Sequence, residues 1–245
     1  MEEIITIRTS GGRSIEGTLS FVKKESDLTI FVHGLFGHPN EHIFYNTSRI
    51  FRHRGLSTFR YALHDQTSCE QFTISQWARD LEEVVRYFLS EFSTINLVGH
   101  SLGAIVILMC DLRQVGRVVF WDPSRNAADV VSLAQYNPVL DSFVFENAYR
   151  ILVPKEMVVD AKCLPKVEML VKEVRNPIKI ITAGKGGFSF AKSLYFDNAN
   201  VPKCFMNLPN SSHWFDENGI EETLISETLD WLLRDRRISS IETVT

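Results

Sequence analysis

Short apolar runs recur along the chain, and between them apolar residues fall every three or four positions. Residues 4–8 and 14–21 flank Gly11-Gly12 and predict two strands joined by a hairpin. Further buried strands are predicted at residues 28–32, 57–63, 95–98, 118–121, 178–182 and 204–208. The pattern therefore predicts eight strands, of which the first two are antiparallel.

The clearest helical pattern begins after Thr73. Gln76 completes a capping box with Thr73, and the apolar positions of residues 74–88 line one face. A second amphipathic helix is predicted over residues 220–233. Because strands alternate with helices, we expect an α/β fold, in which a mostly parallel eight-stranded sheet is covered by helices on both faces.

The alternation breaks between residues 123 and 177. This stretch has helix-like pieces, three internal prolines and no long buried strand, which indicates a cap inserted into a single domain of residues 1–245. Its aromatic and apolar residues predict an underside suited to an acyl or aromatic substrate group. They are Phe143, Phe145, Tyr149 and Met157. Any one of them alone is better explained by packing of the insertion; only the group indicates a substrate.

Composition adds limits to this picture. The chain has 245 residues, 44% of them hydrophobic, and 26 basic against 30 acidic residues give a net charge of −4. The charges are well mixed along the chain, so we expect neither a nucleic-acid nor a membrane partner. The acidic start and the scattered cysteines argue against a secretory signal and a disulfide framework, which favours the cytoplasm. The oligomeric state is not indicated.

The most informative motif is Gly99-His100-Ser101-Leu102-Gly103. It stands between the apolar runs 95–98 and 104–110, where a strand turns into a helix. Such a nucleophile elbow exposes a serine hydroxyl, and small flanking residues let the backbone bend. The motif therefore predicts Ser101 as a nucleophile, with the Leu102 N–H pointing toward a developing oxyanion.

A second turn follows the third predicted strand, in His33-Gly34-Leu35-Phe36-Gly37. If this strand lies beside the nucleophile strand, the Leu35 N–H faces that of Leu102 and completes an oxyanion hole. His33 is then structural. His33, His38 and His42 do not have the spacing that stacks metal ligands on one helix face, so we expect no metal site.

The general base is expected late in the chain, because hydrolases that carry their serine on such a nucleophile elbow have their triad in the order serine, acid, histidine. His213 is the only histidine after Ser101. It stands in a predicted loop between the last strand and the last helix, where its side chain can reach the serine. The other interpretation of His213 is a surface-loop histidine.

These pieces together resemble the α/β-hydrolase superfamily, and most closely the small cytoplasmic carboxylesterases of its serine aminopeptidase-like and cinnamoyl-esterase-like branch. The similarity rests on residues 33–37, the helix of residues 73–88, residues 99–103 and Ser212-His213, and it extends over nearly the whole chain. It implies hydrolysis of an ester, or less often of an amide or thioester, without a cofactor.

Two stretches depart from this family pattern. Residues 63–68 lack the usual Asp-x-Arg-Gly-x-Gly, and residues 183–187 lack the carboxylate that relatives place after the seventh strand. Asp122, at the end of the sixth predicted strand, resembles the acid position of pancreatic-lipase-type hydrolases and is the preferred candidate. Asp197 is the alternative acid. A turn-capping role is nearly as good an interpretation of Asp122.

Taken together, the sequence predicts a serine esterase that acts on a small or medium carboxylic ester with an apolar acyl or aromatic group. The glycine-rich residues 184–187 match no nucleotide-binding motif, so a nucleotide cofactor is not expected. Two other functions stay open. One is a non-catalytic ligand-binding protein on a hydrolase scaffold, motivated by the missing acid; the other is a peptidase or thioesterase of the same fold.

Overall fold

The computed structural model describes residues 1–23, 26–35, 37–63, 72–146, 150–185, 190–234 and 241–244. Several residues singled out above lie outside the described residues. They are Phe36, residues 64–68, Tyr149, Gly186 and Gly187. Within the described ranges, no helix is both long and apolar enough to cross a membrane.

The strands are β1 Glu2–Arg8, β2 Ser14–Ser20, β3 Asp27–Val32, β4 Ser57–Tyr61, β5 Thr94–His100, β6 Val118–Trp121, β7 Gln135–Asn137, β8 Ser142–Glu146, β9 Arg150–Val153, β10 Ile178–Ala183, β11 Lys203–Leu208 and β12 Ile241–Val244. The α-helices are α1 His42–His53, α2 Ile74–Phe88, α3 Gly103–Leu108, α4 Ala127–Val131, α5 Lys155–Cys163, α6 Val167–Glu173 and α7 Ile220–Leu233. A π-helical turn covers Lys192–Phe196.

The main sheet has the order β1-β2-β4-β3-β5-β6-β10-β11-β12. Only the β1–β2 and β2–β4 pairs are antiparallel, which confirms the mostly parallel sheet with an antiparallel start. The eight predicted strands are all present, and β12 adds a ninth at the edge. β3 lies directly beside β5, with Val32 opposite Gly99, so the two turns that carry the candidate chemistry are neighbours.

Helices cover both faces of the sheet, as predicted. Successive strand residues point to opposite sides: Phe120 joins the apolar core beneath α2 and α3, whereas Trp121 joins the core beneath α1 and α7. The indole N–H of Trp121 donates a 2.9 Å hydrogen bond to Thr228 of α7. β6 is therefore fixed from both faces immediately before the loop that carries Asp122.

The start of α2 agrees with the sequence in part. Thr73 caps the helix, because its hydroxyl accepts a 3.0 Å hydrogen bond from the Gln76 N–H. The reciprocal half of the capping box is wrong, since the Gln76 Oε1 accepts from Arg79 at 2.8 Å instead of from the Thr73 N–H, while the Gln76 Nε2 donates to Asp80 at 2.9 Å. Asp80 is buried and paired with Arg13, and its carboxylate is a charged acceptor that orients the Gln76 amide away from the Thr73 N–H.

The insertion between β6 and β10 differs from its prediction. Besides α4, α5 and α6 it contains the antiparallel sheet β7-β8-β9; the sequence indicated helix-like pieces and no long buried strand, and these short strands were not predicted. These strands have three to five residues and are at most partly buried at β7 and β8, so their two-residue alternation is too short to be distinctive. Phe143 and Phe145 share one face of β8 and pack against the core as half-buried side chains.

Candidate active site

Ser101 occupies the turn between β5 and α3 with a φ of 55°. This left-handed backbone is unfavourable for a residue with a side chain, and proteins keep such strain mainly at functional sites. The Ser101 N–H donates a 3.0 Å hydrogen bond to the carbonyl of Trp121, which ties the turn to β6. Gly99 and His100 are the last two residues of β5.

Two glycines allow the turn to be this tight. A Cβ at Gly103 would lie 2.2 Å from the carbonyl oxygen of Val32, so any side chain there would push α3 away from β3. A Cβ at Gly34 would lie 2.9 Å from the Ser101 Cβ. The turn after β3 therefore passes directly against the serine.

The N–H groups of Leu35 and Leu102 flank this contact. Within the described part of the chain, neither N–H donates a hydrogen bond. His33 fixes the turn: its Nε2 accepts from the Leu63 N–H at 3.0 Å, so its Nδ1 carries the proton and donates to the Gly34 carbonyl at 2.8 Å. Two unpaired amides beside a serine can stabilise an oxyanion.

Asp122 and His213 are joined by a 2.6 Å hydrogen bond between Oδ2 and Nδ1. Asp122 follows β6 directly, has a φ of 39° and is fully buried. Its other oxygen accepts from the Ala183 N–H at 2.9 Å, and its own N–H donates to the Ile181 carbonyl at 2.7 Å. The carboxylate is therefore held between β6 and β10 and aimed at the histidine.

Burial is the main cause of the pKa shifts of Asp122 and His213. It lowers the pKa of His213 to about 4, so the ring is neutral at neutral pH. Burial also raises the pKa of Asp122 to about 7, against the opposing effect of the Ala183 N–H. A neutral ring that donates from Nδ1 leaves Nε2 as an acceptor, which is what a general base requires.

The loop that carries His213 is held in place by polar contacts around it. The Ser212 N–H donates to the Glu217 carboxylate at 2.7 Å, and the Ser211 hydroxyl accepts from the Gly184 N–H at 3.2 Å.

The ring of His100 packs against His213. Burial lowers the pKa of His100 to about 3, so this ring is also neutral. The His100 ring lies 4.5 Å from the His213 ring, between centroids. The candidate base is thus positioned against the residue that precedes Ser101.

Ser124 is a contact that the sequence analysis missed. Within the described residues, Ser101 Oγ hydrogen-bonds to Ser124 Oγ at 3.2 Å and not to His213. Hydrogen bonds between nucleophile and base are often formed only once substrate is bound, so this geometry is compatible with a triad. The available signal was the position of Ser124, two residues after a strand-end aspartate.

The remaining candidates lie elsewhere. Asp197 is exposed at the end of the π-helical turn, where its carboxylate accepts from Lys192 Nζ at 3.1 Å; it does not contact His213. His38 accepts from the Asn40 N–H, and His42 pairs with Glu221 at 2.9 Å. The structure therefore brings together Ser101, Asp122, His213 and the two turn amides, and leaves Asp197 apart.

Comparisons with known proteins identify the family and the fold. The sequence profile of the Alpha/beta hydrolase family matches residues 29–174. No curated protein matches the chain. Three similar solved structures are Est1E from Butyrivibrio proteoclasticus with ferulic acid bound (17% identity, 94% of this chain and 100% of that one, TM-score 0.78), the esterase domain of a Rhodothermus marinus protein (16%, 94% and 97%, 0.73), and dienelactone hydrolase from Anabaena variabilis (14%, 95% and 97%, 0.71).

Proposed function

Since this chain belongs to the alpha/beta hydrolase family, we propose that it is a serine esterase that cleaves small or medium carboxylic esters with an apolar acyl or aromatic group. The observation that carries the proposal is the hydrogen bond between Asp122 and His213, formed beside Ser101 at the carboxyl ends of neighbouring strands. A neutral histidine oriented by a buried carboxylate is the arrangement that activates a serine hydroxyl.

Acylation begins when Ser101 Oγ attacks the ester carbonyl carbon and passes its proton to His213 Nε2. Asp122 stabilises the resulting imidazolium through the bond to Nδ1. The N–H groups of Leu35 and Leu102 hold the negative oxygen of the tetrahedral intermediate. When this intermediate collapses, the bond to the alcohol breaks and His213 gives the proton to the leaving oxygen.

Deacylation repeats these steps with water. His213 takes a proton from a water molecule, which attacks the acyl-enzyme, and returns the proton to Ser101 Oγ as the acid leaves. This chemistry needs no cofactor, because the base, the nucleophile and the oxyanion donors are all protein groups. We place the reaction in the cytoplasm, with no nucleic-acid or membrane partner; the well-mixed charges and the free thiols of Cys110 and Cys163 support this.

The apolar preference is supported by the insertion. Phe143 and Phe145 point to one side of β8, and because they are only partly buried, some aromatic area is left for a ligand. Ferulic acid, the ligand of the similar Est1E structure, also carries an aromatic ring. The alternative of a non-catalytic binding protein was motivated by the missing acid after β10, and Asp122 supplies a carboxylate to His213 from β6 instead.

The test is covalent labelling together with turnover. A fluorophosphonate probe should modify Ser101, and Ser101→Ala should abolish both the labelling and the hydrolysis of p-nitrophenyl esters. A panel of esters, thioesters and peptides then separates an esterase from a thioesterase or peptidase. Labelling of a different residue, or a wild-type protein that binds esters without hydrolysing them, would contradict the proposal.

A further inference from the structure

Ser124 contacts the candidate nucleophile twice. Its N–H donates a 3.1 Å hydrogen bond to the Ser101 carbonyl, and its hydroxyl lies 3.2 Å from Ser101 Oγ. Ser124 is 2% exposed, so no bulk water competes for its hydroxyl. The proposed triad does not use this side chain, although it is the hydrogen-bond partner of the reacting oxygen.

Tyr195 fixes Ser124 from the other side. The buried Tyr195 hydroxyl donates a 2.5 Å hydrogen bond to the Ser124 carbonyl, and its ring packs edge-on against Phe120 at 5.7 Å. The peptide of Ser124 is therefore held by Ser101 and by the π-helical turn together. A backbone held in this way keeps the Ser124 hydroxyl aimed at Ser101 Oγ.

The proton count decides what this hydroxyl can do. A hydroxyl has one proton to donate and two lone pairs that accept. When Ser101 directs its proton to His213, its oxygen still accepts one further hydrogen bond, and the neighbouring donor is the hydroxyl of Ser124. A hydrogen bond donated by Ser101 to His213 is thus compatible with one that Ser101 Oγ accepts from Ser124.

We propose that Ser124 is a further catalytic residue, whose hydroxyl donates a hydrogen bond to Ser101 Oγ while negative charge is present on that oxygen; the inference rests on the proposed esterase function. During acylation, the Ser101 proton moves to His213 as the Oγ lone pair forms the bond to the acyl carbon. During deacylation, that bond breaks and the electron pair returns to Oγ, which accepts from Ser124 until His213 returns the proton. Ser124 keeps its own proton throughout.

The test compares Ser124→Ala with a matched control, Ser48→Ala. Ser48 is also buried and hydrogen-bonded to a hydroxyl, that of Thr58, but it lies in α1 and outside the proposed machinery. Hydrogen bonds to charged groups correspond to rate factors of about ten to a hundred. Ser124→Ala should lower kcat/KM for p-nitrophenyl acetate and the rate of fluorophosphonate inactivation by this factor, whereas Ser48→Ala should leave both unchanged.

Two more variants separate catalysis from packing. Ser124→Cys keeps the side-chain shape but has a weak donor, so it should fold like the wild type and lose activity as Ser124→Ala does. Tyr195→Phe keeps the ring and removes the donor to the Ser124 carbonyl. As a positioning residue it should cost severalfold in kcat, and the double variant with Ser124→Ala should be no slower than Ser124→Ala alone, because Tyr195 acts through Ser124.

The outcomes distinguish this inference from the proposed function. Wild-type activity in Ser124→Ala and Ser124→Cys would reduce Ser124 to a packing residue. Faster turnover in these variants would mean that Ser124 holds Ser101 in a resting position, which also overturns the inference. A wild-type protein that is neither labelled on Ser101 nor active on esters would contradict the proposed function itself, and the inference with it.

Discussion

His100 Nε2 donates a 2.9 Å hydrogen bond to the backbone carbonyl of His213, so the residue before the candidate nucleophile holds the loop of the candidate base. Because a carbonyl only accepts, the proton of this neutral ring is fixed on Nε2. The sheet edge that presents Ser101 and the loop that presents His213 are thereby joined by one buried contact. The contact has direct consequences for a variant at position 100.

We expect His100→Ala to misplace the base rather than to change its chemistry. Loss of a buried hydrogen-bond partner costs about 1–3 kcal/mol of stability, and a displaced base should lower kcat by about a hundredfold. His100→Gln, which offers an amide donor at a similar reach, should recover part of the activity. Thermal unfolding and steady-state kinetics measure both effects, and a fully active His100→Ala would show that the loop is held by its other contacts.

Variants of two aspartates test which carboxylate orients His213. Asp122→Asn should retain the fold and fluorophosphonate access while lowering turnover by about 10³- to 10⁴-fold at neutral pH, because the imidazolium loses its counter-charge. Asp197→Asn is the matched control. Its carboxylate pairs with Lys192 on the surface, so its removal should change ester hydrolysis little. A large loss in Asp197→Asn would reverse the assignment.

The contrast between these two aspartates shows how far the sequence reaches. The eight predicted strands contain enough apolar residues to be predicted from the local sequence pattern. The predicted helix 220–233 has the bounds of α7. The placement of Asp122 opposite His213 depends on the order of β6, β10 and β11 in the sheet, across 91 positions of sequence. That order was available only through the family resemblance.

Contacts formed solely by tertiary packing were not predictable. Neither the His100–His213 bond nor the Ser101–Ser124 bond follows from the spacing of the residues along the chain. The short strands β7, β8, β9 and β12 were missed for a different reason: three to five residues do not establish a two-residue period. Local pattern therefore indicated the candidate nucleophile and the candidate base, while their neighbours were known only from the structure.

The pH dependence should report on the Asp122–His213 pair as a unit. The active form has an ionised Asp122 and a neutral His213, so a proton bound to the pair inactivates the enzyme. Burial raises the pKa of Asp122 to about 7 and keeps that of His213 below it. Hence kcat/KM should rise with pH through about 7 and level off above it. In Asp122→Asn the residual kcat/KM should still increase with pH, but its midpoint should lie at a lower pH than in the wild type. Without the anion the imidazolium is less stable, so the pKa of His213 is lower. A wild-type kcat/KM that decreases as the pH is raised from 6 to 8 would contradict this assignment.

The insertion should set the acyl preference. Phe143→Ser and Phe145→Ser remove aromatic area from one face of β8, so each should lower kcat/KM for p-nitrophenyl butyrate and for aromatic acyl esters by about tenfold. The same variants should affect p-nitrophenyl acetate much less, because its methyl group buries little apolar surface. Val139→Ser is the control, since Val139 lies between β7 and β8 and is 89% exposed. The ratio of butyrate to acetate kcat/KM is the measurement that cancels general effects on folding or on the triad. An unchanged ratio in both phenylalanine variants would mean that these rings only pack the insertion onto the domain and that the acyl group binds elsewhere.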